Sequence, residues 1–121
     1  MASWIQDVTD ATFETGVLQS GKPVLVYCWA PGVPEVIGYG LDRVPGMFQG
    51  NLTIVRLELE ANPKTRDAYK QMRDAYEEHR LPALVLFKQG EPVAAQAQPM
   101  PLLPPEVLVA QFVAPHLQTQ L

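Results

Sequence analysis

The chain has 121 residues, a net charge of −4 and 47% hydrophobic residues. That is one domain's worth of sequence with enough apolar content for a layered core, and its acidic balance lacks the positive footprint that nucleic acid or an anionic membrane surface requires. One cysteine, Cys28, excludes a disulfide framework and a dithiol–disulfide cycle run by this chain alone, and it fits a reducing compartment.

Met1 to Asp7 has neither a basic start nor an apolar stretch, so we expect no secretory signal and a cytoplasmic protein. No apolar run is long enough to span a bilayer. No repeat or linker divides the sequence, and we expect a single domain over residues 1–121. Val8 belongs to a short first strand. Thr9 and Asp10 offer N-cap oxygens to a helix over Ala11–Gln19, with Phe13, Val17 and Leu18 inward, and Gly21 ends it. Val24-Leu25-Val26-Tyr27-Cys28-Trp29 is an unbroken apolar run, suited to a strand covered on both faces of a parallel sheet. From Pro31 to Gly50, glycine and proline leave room for at most a short helix starting near Pro34 and Glu35.

Leu52–Glu60 returns to strand character, with Val55, Leu57 and Leu59 alternating against charged residues. Asn62-Pro63 opens a helix expected from Lys64 to Glu78. Its Thr65, Tyr69, Met72 and Tyr76 make one apolar face, and its alternating charges make a solvated one. Ala83–Lys88 and Pro92–Gln98 flank Gln89-Gly90 as a hairpin. Pro104-Pro105-Glu106 starts a last helix with Val107, Leu108, Phe112 and Val113 inward. The order β-α-β-α-β-α-β-β-α gives an α/β class with a mixed central sheet between helices.

That order, the Trp29-Ala30 ending of the second strand, Asn62-Pro63, and the run Pro82-Ala83-Leu84-Val85-Leu86-Phe87-Lys88-Gln89-Gly90 resemble the thioredoxin family over nearly the whole chain. The resemblance implies a thioredoxin-like three-layer sandwich. It also implies a Cys-Gly-Pro-Cys motif where this chain has Val33-Pro34-Glu35-Val36, with valine at both cysteine positions. The family's thiolate needs a lowered pKa at a helix start and a second thiol to resolve the mixed disulfide. Tyr27 stands where the family keeps a buried aspartate. The Lys64–Glu78 helix is roughly two turns longer than the family's. No glycine occurs in Gln96-Ala97-Gln98, where the family has one in its last strand.

We therefore expect a redox-inactive member that is no enzyme, with no catalytic residues, no cofactor and no metal. Its role would be a protein-binding adaptor, assembly factor or chaperone-like module. The surface where the family grips polypeptides maps to Pro31, Gly32, Val33, Pro34, Val36, Leu81, Pro82, Gln96, Ala97 and Gln98, mostly apolar or uncharged residues that suit a recognition patch. The resemblance also implies a cis peptide bond at Leu81-Pro82. The alternative is a monothiol oxidoreductase acting through Cys28, which requires that thiol to reach solvent. His79 reads as a solvated loop histidine near the patch and His116 as a helix-end residue. With Cys28 they make no zinc site.

Overall fold

A computed structural model describes residues 5–33, 51–97 and 105–117. The short helix expected near Pro34 and Glu35, and the site positions Pro34, Val36 and Gln98, lie outside the described residues. Five strands, β1 (Gln6–Val8), β2 (Val24–Trp29), β3 (Thr53–Glu58), β4 (Ala83–Lys88) and β5 (Glu91–Ala97), form one sheet in the order β1-β3-β2-β4-β5. β3 runs parallel to β1 and β2, whereas β4 runs antiparallel to β2 and β5. The sheet is mixed, as expected.

The apolar run of β2 lies at its centre because it can be buried on both faces. Alternate side chains then enter two separate cores. Val24, Val26 and Cys28 pack with Phe13, Val17, Met72, Val85 and Phe87. Leu25 and Tyr27 pack with Ile54, Leu84, Leu86, Val109 and Val113 on the other side. The first core lies under α1 (Glu14–Leu18) and α3 (Lys70–Glu77), which follows the short α2 (Pro63–Ala68), and the second under α4 (Pro105–Leu117). The result is the three-layer sandwich. Gln89 and Gly90 turn the β4–β5 hairpin with φ of 53° and 82°, the left-handed pair that a tight hairpin turn requires.

Three local expectations need correction. The first helix is a single wide turn, Glu14–Leu18, closed by the Gln19 N–H donating to the Glu14 carbonyl, five residues back, at 2.9 Å. Asp10 does not cap it. Its carboxylate instead accepts the N–H groups of Thr65 at 2.8 Å and Lys64 at 3.2 Å, so it caps α2 from a distant part of the chain. Asn62 completes the clasp: its Oδ1 accepts the Asp10 N–H at 2.9 Å and its Nδ2 donates to the Glu58 carbonyl at 2.8 Å. At 7% exposure, Asn62 needs both bonds to offset its burial.

The second correction concerns the long helix, which breaks at Tyr69 (φ −123°, ψ 122°) into α2 and α3. The break turns the Tyr69 ring onto Phe13 and Phe87, with centroids 5.7 and 5.1 Å away. Each such aromatic pair contributes about 0.5–1.5 kcal/mol beyond area burial, enough to offset a lost helical bond. The Tyr69 carbonyl then accepts the N–H groups of Met72 and Arg73 and starts α3. The apolar face survives the break: Thr65 and Met72 are buried, and Tyr69 and Tyr76 pack on the core. The third is smaller. In α4, Val109 is fully buried and Val107 only partly.

Candidate functional site

Beyond β2 the chain turns at once. Ala30 accepts the Val33 N–H at 3.1 Å, with Pro31 and Gly32 as the central residues and Gly32 at φ 86°. Proline presets the first central position and only glycine takes the second without strain, the pattern of a type II turn. Pro31 and Gly32 are exposed at its tip, while Val33 is half-buried and packs on the core that holds Cys28 and Leu81.

The end of α3 approaches this turn. The Arg80 N–H donates to the Ala75 carbonyl at 2.8 Å and the His79 N–H to Tyr76 at 3.3 Å, with His79 at φ 57°. This is the helix stop usually built on glycine. It leaves His79 exposed and carries Leu81 inward to 9% exposure. The Leu81-Pro82 bond is cis, as the resemblance implied, and Pro82 is buried.

Between the turn and α3 lies a cleft of ≈ 660 Å³, lined by Pro31, Gly32, Val33 and Leu81 together with Glu60, Tyr76, Glu77 and His79. Of these, sequence reasoning named the first four as site residues and placed His79 nearby, but it missed Glu60, Tyr76 and Glu77. For Tyr76 and Glu77 the extra length of the helix was the available signal. The Arg66 guanidinium sits over the Tyr76 ring, 4.6 Å from its centroid, and holds Asp67 at 3.0 Å. Gln96 and Ala97 do not line this cleft. Ala97 pairs with Ala83 across the sheet, next to Pro82, and both residues line a shallow depression of ≈ 150 Å³ whose other wall includes Gln71, Asp74, Glu78 and Arg80.

Cys28 lies beneath the cleft with 0% exposure, its Sγ 3.9 Å from the Val26 carbonyl. Burial pushes its thiol pKa up to about 12. Tyr27 points into the opposite core, so the tyrosine at the aspartate position and the single thiol occupy different faces of the sheet. Among the described residues no group of three or more His, Cys, Asp or Glu side chains is placed to hold a metal, and no helix is long and apolar enough to cross a membrane.

No protein-family model matches the chain. Curated relatives do. A thioredoxin of Pseudomonas aeruginosa is 37% identical over 92 residues, covering 74% of this chain and 79% of the relative. A thioredoxin of Mycobacterium tuberculosis is 36% identical over 88 residues, covering 71% of this chain and 70% of the relative. The chain belongs to the thioredoxin family. Thioredoxin 1 of a Nostoc strain adds 33% identity over 88 residues. These relatives overturn the expectation that the chain is no enzyme: they are named as thioredoxins, a family of oxidoreductases, and the kinship points to enzymatic activity. Against that kinship stands a chain with one cysteine.

Proposed function

We propose that this thioredoxin-family chain binds an extended polypeptide at the cleft beside the Pro31–Val33 turn, and serves as an adaptor, assembly factor or chaperone-like module without a dithiol of its own. The observation that carries the reading is the cleft. Val33 and Leu81 give it an apolar floor, and the exposed Pro31-Gly32 tip forms its edge. A concave, partly apolar site with a few polar groups at its margin is the usual form of a binding site. Val33, at a cysteine position, contributes to that floor instead of carrying a thiol.

A photo-crosslinking amino acid placed at Pro31 tests it, with a reduced and alkylated unfolded protein as the probe. Crosslinking at position 31 well above that at the remote, exposed position of Glu14 supports the reading. Equal yields at the two positions refute it. The relatives are named thioredoxins, and the second reading is thiol–disulfide exchange by this chain's single thiol, Cys28. Its measure is insulin reduction with dithiothreitol present: turnover that disappears in Cys28→Ala establishes it. The buried thiol, pushed up to about 12, weighs against it.

A further inference from the structure

The cleft has a charge pattern that the polypeptide-binding reading does not explain by itself. Glu60, beyond β3, and Glu77, at the end of α3, both line it, and no lysine or arginine does among the described residues. Neighbouring acids on the same elements are engaged: Asp74 with Lys70, Glu78 with Arg80, Asp67 with Arg66, and Glu58 with the Ala61 N–H. Glu60 and Glu77 form no salt bridge or side-chain hydrogen bond among the described residues. Arg66 acts on Glu77 through space without a direct ion pair, so acidic side chains with no bound cation are kept where a bound segment would lie, over a floor of Val33 and Leu81. Tyr76 stands between these features with Arg66 already over its ring, so the wall tolerates a guanidinium in contact.

We infer that the cleft selects an extended polypeptide segment carrying a lysine or arginine next to an apolar residue. The apolar side chain meets Val33 and Leu81, and the cation lies between the carboxylates of Glu60 and Glu77. This rests on the polypeptide-binding reading and narrows it to a partner class. A second copy of this acidic chain, at net charge −4, is a poor occupant on the same grounds.

The test is selection of a displayed library of random cysteine-free dodecapeptides on the full chain. Enrichment of lysine or arginine beside an apolar residue is expected. The selected peptides should bind the Glu60→Gln/Glu77→Gln variant about tenfold more weakly, the effect of losing two partly exposed charge pairs. The Glu14→Gln/Glu91→Gln variant, which changes net charge equally at residues outside the cleft, should bind as the parent does. Peptides selected without cationic enrichment, or an equal loss in the two double variants, overturn the cationic preference and leave the polypeptide-binding reading standing. Failure to select any peptide overturns both.

Discussion

A bulky maleimide added to the native chain at pH 8 measures whether Cys28 can enter any chemistry. The thiolate is the reactive form. With its pKa pushed up to about 12, roughly one Cys28 in ten thousand is ionised at pH 8, against about one in four for an ordinary thiol of pKa near 8.5. That alone slows labelling about two-thousandfold. Burial acts as well, since a side chain with 0% exposure meets the reagent only when the fold opens. At a stability of about 5 kcal/mol the open state is populated roughly once in several thousand molecules. An opened chain reacts with an ordinary thiol, so the opening route sets the observed rate. Native labelling should thus run about three orders of magnitude or more below the rate in concentrated urea. Labelling within tenfold of the urea rate would refute this reasoning and return Cys28 to contention as a working thiol.

Three further outcomes follow from the packing. Leu81→Asp should cost at least about 3 kcal/mol because it buries a charge in the core, whereas Pro31→Asp at the exposed turn should stay within about 1 kcal/mol; urea titration separates them. Asp10→Ala should cost about 1 kcal/mol at neutral pH by uncapping α2. Burial raises the Asp10 pKa, but the hydrogen bonds from Thr65 and Lys64 outweigh it and hold the value below the usual carboxylate range. A lowered folded-state pKa gives stability that is present above the unfolded value of about 3.9 and lost as pH falls through the folded one. The gap between Asp10→Ala and parent should therefore close in acid, as thermal melts across pH would show. Tyr69→Ala should cost about 2 kcal/mol through its lost ring contacts, and Tyr69→Phe should be close to neutral by the same titration.

The parts of this fold legible in the sequence are those fixed by local pattern. Val24–Trp29 reads as a central strand because it is an unbroken run without a charged residue, and Gln89-Gly90 reads as a turn because glycine is there. The misread parts depend on distant partners. Asp10 has the right chemistry for a cap, but the N–H groups it serves belong to Lys64 and Thr65. Tyr69 keeps helical spacing in sequence and leaves the helix only because Phe13 and Phe87 wait for its ring. The site shows the same division. The Pro31–Val33 turn, the histidine near it and the cis bond at Leu81-Pro82 were reached through residues and resemblance. Glu60, Tyr76 and Glu77 were not, because the chain leaving β3 and the path of α3 bring them to that turn only in the fold.

That path bears on how recognition works here. Met72 and Ala75 anchor α3 to the core. Gln71, Asp74, Ala75 and Glu78, one stripe at three- and four-residue steps, wall the depression beside Gln96 and Ala97. Tyr76 and Glu77 are offset around the helix and wall the cleft beside Pro31 and Val33. Of the described positions that the resemblance groups into one gripping surface, Pro31, Gly32, Val33 and Leu81 line one concavity and Gln96 and Ala97 the other, and α3 borders both. A polypeptide bound as proposed would meet α3 residues in either one, Tyr76 and Glu77 or Gln71 and Asp74, as well as the positions the resemblance names. Arg66 belongs to this arrangement, since it lies over the Tyr76 ring and reversing its charge would disturb the cleft wall. Under the polypeptide-binding proposal, α3 then contributes to specificity through Tyr76 and Glu77 alongside Val33.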